Sequence, residues 1–507
     1  MSELAGVHPD YTKYEDNWKT LRDFYDGSDK VKEAGTRYLP ATEGMMIDGM
    51  NSGEYGFQCY QAYKQRARVP DYVYQAIETL VGLMHQKDAI IELPPQMEYL
   101  REKASATGEP LTALHRRINV EQLTTGRLGL LVDLPAVVDQ TKPQPYMALY
   151  PAESIRNWDN REHSDNHGEL NMVVLDESGP VRKNTFSWEE ETRYRVLVLG
   201  SAEGDDATGK YRQAVFKQPA LAYDETALKA PSLRGKEFEH IPFVFINTKD
   251  LLSAPDVPPL KGLAEACKGI YQSEADYRQN LYMQSQETLV VKGGTRSNVD
   301  RAGATGPVRV GAGARIDVDD KGDAKYIGVS AAGLSEQRQA LTTDREAAKV
   351  KAGQLVQNNG SQMESGSALT TRFNAQTATL NQIAQTGAAG LAKALRFIAE
   401  WLGADPSKVK VTPNTEYVNF NLDGQNFVQL MTARQMGLPI SLESLHAVLA
   451  DRGMTVMDLT RELEIIRKEN VELKDLLPSA AAPGTPGSGG APGAAKPTNP
   501  QNEPPQE

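Results

Sequence analysis

The segment Gly204-Asp205-Asp206-Ala207-Thr208-Gly209-Lys210 has the GxxxxGK spacing of a phosphate-binding loop. Such a loop works because its backbone N–H groups cradle phosphates and its Lys reaches the outer ones. A following Ser or Thr then holds magnesium, and a helix N-terminus faces the anion. Here Tyr211 stands where Ser or Thr is needed, the next residues alternate like a strand, and Asp205 and Asp206 would repel phosphate. A β-hairpin tip is expected instead. Asp317-Val318-Asp319-Asp320-Lys321-Gly322 opens like a calcium loop, but Lys321 occupies the third ligand position and Gly328 sits where a bidentate Glu is required, so a turn between strands is expected. His163 and His167 are four apart with Asp165 between them, in a polar stretch from Asn160 to Gly168 that offers no third fixed ligand. They read as solvated surface, as do acidic pairs such as Glu189-Glu190. No GxSxG occurs and the seven histidines are scattered. The residues offer no catalytic constellation; the expectation is a non-enzyme with no cofactor and no metal.

The chain as a whole favours an extended, multi-part subunit. Its 507 residues suffice for several domains, yet mean hydropathy is −0.49 and aromatic residues are few. Net charge is −12 with pI near 5.3. Broad non-specific grip on nucleic acid comes from Lys and Arg neutralising phosphates, so a chain this acidic is unsuited to it, although it could surround DNA that must slide. Cys59 and Cys267 lie far apart with no metal-like spacing, and are expected as reduced thiols. The start, Met1-Ser2-Glu3-Leu4-Ala5-Gly6, reads as no secretion signal, and no apolar run suits a membrane helix. In the tail from Pro478 to Glu507, 13 of 30 residues are Pro or Gly and none is large and apolar, so disorder is expected.

Period then places the elements. Tyr14, Trp18, Leu21 and Tyr25 mark one helix face over residues 11–26, stopped by Gly27. A loop-rich stretch is expected to Arg68. Pro70 suits the first turn of a helix carrying Val73, Ile77, Leu80, Val81 and Met84. Leu111 to Thr125 reads as a further helix, with Leu114, Ile118 and Leu123. From Arg127 the period changes to strands: Arg127–Asp133, Tyr146–Tyr150, Met172–Leu175, Tyr194–Leu199, Tyr211–Phe216 and Ile241–Asn247, a mostly antiparallel sheet region.

The second half reads differently. A helix over Pro259 to Thr288 carries Leu260, Leu263, Cys267, Ile270, Tyr277 and Leu281 in a narrow stripe that Glu274 interrupts. At 1.5 Å per residue it would be a rod of roughly 45 Å. A Gly-rich β-like insert follows, Leu289 to Val329. The helix from Ala331 to about Gln357 is polar, with Leu334, Leu341, Ala348 and Leu355 as its regular apolar points, so water should border most of it. After the polar break Asn358-Asn359-Gly360-Ser361-Gln362 comes a long apolar helix to Gly403, then a strand at Glu416–Phe420. Helices are expected near 424–437, 441–452 and 455–476, with Ser441 and Ser444 as a modest cap. No internal repeat is legible.

This order resembles a tailed-bacteriophage portal protein over roughly residues 11–475. The resemblance is carried by Ile241–Asn247 before a long helix and Leu289-Val290-Val291-Lys292-Gly293, and by Glu364-Ser365-Gly366-Ser367-Ala368-Leu369 before another. Tyr38-Leu39-Pro40, Arg66-Ala67 and Leu80-Val81-Gly82-Leu83 resemble a portal subgroup known as a domain of unknown function. The resemblance implies an α+β portal-like fold: a wing over 1–258, stem helices at 259–288 and 331–357 around a clip at 289–330, and a tunnel loop at 358–366. A long helix and wing strand at 367–424, crown helices at 425–476 and a tail at 477–507 would complete it. It also implies a structural ring, usually of twelve copies, at one capsid vertex of the virion, assembled in the host cytoplasm. Double-stranded DNA would pass through it during packaging and ejection. The terminase motor, which would hydrolyse the ATP, and the head–tail adaptor would dock on the clip, and major capsid and scaffolding proteins would be neighbours. Asn358, Asn359, Ser361 and Gln362 would offer DNA neutral donors, with Lys349 and Lys351 adding modest attraction; an ordinary polar connector is the alternative. Lys292, Arg296, Arg301 and Arg309 of the clip would face the motor, adaptor or DNA, or remain solvated. Two other readings stay open: a monomeric or low-order capsid accessory protein, and a nucleotide-dependent nucleic-acid enzyme.

Overall fold

The computed structural model describes residues 3–135, 144–159, 170–200, 209–218, 221–284, 288–292, 323–327, 331–353, 366–415, 417, 432, 441, 443–444, 446, 455 and 457–476. The chain divides into two compact units, Met1–Tyr417 and Val418–Glu507. It mixes helices with antiparallel sheets, as the sequence indicates.

Helix α1 (Pro9–Asp26) begins where Pro9 needs no N–H partner, with the His8 ring accepting the Asp10 N–H at 3.1 Å. It ends at Gly27, whose φ of 100° few other residues tolerate. Its buried set is Tyr11, Trp18, Leu21 and Phe24, so Tyr14 and Tyr25 flank the stripe half-buried instead of lying in it. The expected loop to Arg68 is in fact helical: α2 (Ser28–Glu33), α3 (Glu43–Ile47) and α4 (Tyr55–Arg66). Glycines and polar residues obscure the period there, and packing supplies the stability that propensity lacks. Tyr60 and Tyr63 are buried, and Gly56 allows α4 to meet α3, since a Cβ there would lie 2.0 Å from the Met45 carbonyl oxygen. Helix α5 (Tyr72–Met84) buries all five predicted apolar residues; Pro70 precedes its Asp71 cap instead of occupying the first turn.

The short strand β1 (Ile90–Glu92) precedes α6 (Leu111–Thr124). The predicted sheet region separates into smaller antiparallel sheets. Strand β2 (Arg127–Asp133) is wholly buried and central. On one side of it runs β3 (Tyr146–Pro151). Strands β4 (Ile155–Asp159), β5 (Met172–Asp176), β6 (Gly179–Arg182), β7 (Trp188–Glu191), β8 (Arg193–Leu199) and β9 (Tyr211–Lys217) follow. They form a four-stranded sheet in the order β4-β5-β8-β9 and a separate β6–β7 ribbon. Strand β10 (Phe243–Asn247) returns to the other side of β2.

Then come α7 (Lys261–Gln284), β11 (Thr288–Lys292), β12 (Asp323–Ile327), α8 (Ala331–Gly353) and α9 (Gly366–Leu402). Strand β13 (Lys410–Thr412) pairs with β1. Helix α9 threads unit 1 because two glycines let it approach its neighbours. A Cβ on Gly387 would sit 2.6 Å from the Gln122 side chain, and one on Gly390 2.4 Å from Ile246. In the second unit, α10 (Leu459–Leu476) fits the last predicted helix, and the Ser441 hydroxyl accepts the Ser444 N–H at 3.0 Å, the expected cap. The strand predicted at Glu416–Phe420, the helices near 424–437 and 441–452, and the tail from 477 lie wholly or mostly outside the described residues.

Candidate functional site: the α7–α8 pair and its β ribbon

Helix α7 is shorter than the sequence suggests, because Thr288 already belongs to β11; its 24 residues span about 36 Å. Its buried face is also broader than a coiled-coil seam. Leu263, Ala264, Cys267, Ile270, Tyr271, Glu274 and Ala275 are all buried, since α7 packs against α1, α4 and α5 as well as α8. Burial pushes the Cys267 thiol up to about 12, which leaves it protonated and inert, in keeping with the expected reduced thiol. The Tyr63 hydroxyl donates to Asp276 at 2.6 Å, and the Arg66 guanidinium donates to Gln279 while covering the Tyr282 ring at 4.1 Å. Helix α7 is thus bolted to the N-terminal helices.

Helix α8 behaves as its polarity predicts. Leu334, Leu341 and Ala348 are buried at intervals of seven, with Gln337, Arg345 and Ala352 half-buried beside them. The remainder of its described face is exposed, so one narrow seam attaches it. At the middle of that seam lies the residue that looked like an interruption. Glu274 is 1% exposed and accepts two charge-assisted hydrogen bonds, from Arg278 Nε at 2.7 Å and from Arg345 of α8 at 2.6 Å. Nearer the β ribbon, the Asn280 amide donates to Gln337 at 3.1 Å. These contacts fix the two helices antiparallel, and β11 pairs with β12 where they end, Thr288 opposite Ile327 and Lys292 opposite Asp323.

Of the predicted site residues, Lys349 and Lys351 are exposed on α8. Being two apart, they stand on either side of Val350, about 100° from it each way. Lys292 closes β11. Arg296, Arg301 and Arg309 lie outside the described residues, as do Asn358, Asn359, Ser361 and Gln362. Of the expected tunnel loop, 358–366, only Gly366 is among the described residues, as the first residue of α9.

Residues 204–208 of the phosphate-loop-like segment lie outside the described residues, which resume at Gly209 and Lys210. Strands β8 and β9 pair from Arg193–Lys217 to Leu199–Tyr211, and Lys210 meets Glu237 at 2.5 Å, with a strand and no helix after it. The calcium-like loop and His163, Asp165 and His167 lie outside the described residues, among which no metal-holding cluster occurs. No described helix is long and apolar enough to cross a membrane.

Two residues escaped sequence reasoning. Glu274 read as a break in an apolar stripe; its partner on α8 lies 71 positions on, beyond any local period. Arg127, read as the start of a strand, is fully buried between Trp158 and Phe245, 4.1 and 4.5 Å from their ring centroids. Its guanidinium nitrogens have no hydrogen-bond partner among the described residues, and burial lowers it to about 9.

A family model described as a domain of unknown function (DUF4055) matches residues 259–402, the span from α7 to the end of α9. No curated protein matches the chain. Among solved structures, it is similar to a chain of the virion of a native gene transfer agent particle: 12% identity, 77% of this chain and 92% of that one, TM-score 0.39. It is also similar to a chain in the neck of an empty gene transfer agent particle, with 14% identity, 75% and 90% coverage and TM-score 0.37. A third, in the neck of a native particle with C12 symmetry, shows 13% identity, 75% and 89% coverage and TM-score 0.37.

Proposed function

We propose that this chain is the ring-forming subunit of a phage portal, a structural conduit for double-stranded DNA at one capsid vertex, without catalytic activity of its own. The observation that carries this reading is the α7–α8 pair. Two antiparallel helices, tied by a buried carboxylate, hold a β ribbon at their far end and lead into a third long helix rooted in the globular unit. A helix pair anchored on the globular unit and carrying a small β module where the helices end suits a stem bearing a clip. An enzyme would instead converge polar groups in a pocket.

In this reading the ring, of about twelve copies as the family resemblance implies, surrounds DNA. The clip, including Lys292, Arg296, Arg301 and Arg309, receives the packaging motor and later the head–tail adaptor, and major capsid and scaffolding proteins border the wing. The 358–366 segment faces the channel, where Asn358, Asn359, Ser361 and Gln362 touch phosphates without fixed charge, so that no contact becomes a barrier to sliding. Negative-stain electron microscopy of the full-length protein tests the proposal. Rings with a central hole are expected; uniformly monomeric or dimeric particles across several salt concentrations would overturn it in favour of an accessory capsid protein.

A further inference from the structure

We propose that the outward crest of α8 in one copy, Lys349-Val350-Lys351, docks on an acidic-rimmed apolar patch that α3 and the start of α4 form in a second copy. This rests on the ring reading and names a surface by which neighbours meet.

The patch is apolar where solvent-facing residues should be polar: Met46, Ile47 and Tyr55 are 57%, 78% and 68% exposed. They lie on helices that meet closely at Gly56. Glu43 opens α3 and Asp48 caps its end, and both are exposed. Exposed apolar surface rimmed by polar residues marks a contact site. The α8 crest has the opposite signs. Val350, 43% exposed, points directly away from the buried seam, and the two lysines stand on either flank of it. An apolar knob between two ammonium groups complements an apolar patch between two carboxylates.

Position along the stem agrees. Tyr63–Asp276 and Arg66–Gln279 show α4 running parallel to α7, each pair offset by 213 residues, which puts Tyr55 level with Lys268. Glu274–Arg345 and Asn280–Gln337 show α8 running antiparallel, which puts Val350 level with residues 267–269. Rotation about a ring axis along the stem preserves height, so surfaces that meet between neighbours must lie at one height, and Tyr55 and Val350 do. They also lie on different flanks. Around α7, the mean direction of Asp276 and Gln279, which face α4, lies about 130° from that of Glu274 and Asn280, which face α8. One flank of a copy can therefore meet the other flank of the next, the head-to-tail contact that closes a ring.

The test uses full-length protein with Cys59→Ser, Ile47→Cys and Val350→Cys, oxidised after assembly. A ladder of covalent multimers in denaturing gels is expected, absent from either single cysteine variant. In parallel, Lys349→Glu with Lys351→Glu is expected to abolish rings by mass photometry, and adding Glu43→Lys with Asp48→Lys to restore them. Rings that form without a ladder, or that survive the lysine reversal, overturn this contact and leave the ring reading intact. Unmodified protein that never assembles overturns both.

Discussion

Replacing Glu274 by Ala removes the carboxylate that joins α7 to α8. The group is 1% exposed and accepts from Arg278 Nε at 2.7 Å and from Arg345 at 2.6 Å. Breaking a fully buried ion pair costs about 3–5 kcal/mol because a charge is stranded. Here the stranded partners are not fully buried: the Arg278 and Arg345 side chains are 30% and 41% exposed and can turn toward water. The loss should therefore approach that of charged hydrogen bonds, about 1.5–3 kcal/mol. Because α8 is held by a single seam, the cost should appear as local opening of that helix and not as unfolding of the body. Hydrogen exchange of peptides covering residues 333–352 in the full-length protein reads this directly, and about 10- to 100-fold faster exchange is expected. Arg345→Ala should act on the same peptides, and the double variant should cost less than the two singles added. Unchanged protection in Glu274→Ala, or strict additivity with Arg345→Ala, would refute the claim that this carboxylate ties the two helices.

Two further outcomes follow from the packing. Gly390→Ala places a methyl 2.4 Å from Ile246, so overpacking of about 1–3 kcal/mol should lower the melting temperature, whereas Gly333→Ala on α8, where a Cβ meets nothing within 4 Å, should not. Burial lowers His115 to about 3, with the nearby His85 ring adding to the effect. The unfolded chain binds that proton below about 6.5 and the folded chain does not, so the group is neutral to stability at higher pH and destabilises as pH falls toward 3, by about 1.4 kcal/mol per pH unit. Urea titrations of wild type and His115→Gln between pH 4 and 7 should differ in slope by about one proton; parallel slopes would contradict a neutral buried imidazole.

Much of the fold was legible where period and burial coincide. The α5 stripe, the strands from Arg127 onward and the single apolar seam of α8 all follow from spacing, because the buried side of each recurs with the period of its element. Legibility failed where packing overrides local pattern. Residues 28–66 form helices whose stability comes from Tyr60 and Tyr63 pressed into the body, and their glycines serve close approach as well as turns. The breadth of α7 burial was hidden for the same reason: a stripe predicts one partner, and α7 has four helical neighbours.

The candidate site shows the same division in its charges. A carboxylate inside an apolar stripe violates the pattern that builds a helix interface, and a polar helix beside it lacks the pattern that would hold it in place. Taken separately, each looks like a weakness. Together they are one interaction, since Arg345 supplies from α8 the countercharge that Glu274 requires, and Glu274 supplies the fixed point that a seam of only Leu334, Leu341 and Ala348 leaves wanting. Apolar contacts alone would let such a narrow seam slide by a heptad at little cost, because its spacing repeats; a single buried pair occurs at one register only. Together with the Asn280–Gln337 hydrogen bond and the β11–β12 pairing, the polar pair therefore holds the register of α8 on α7.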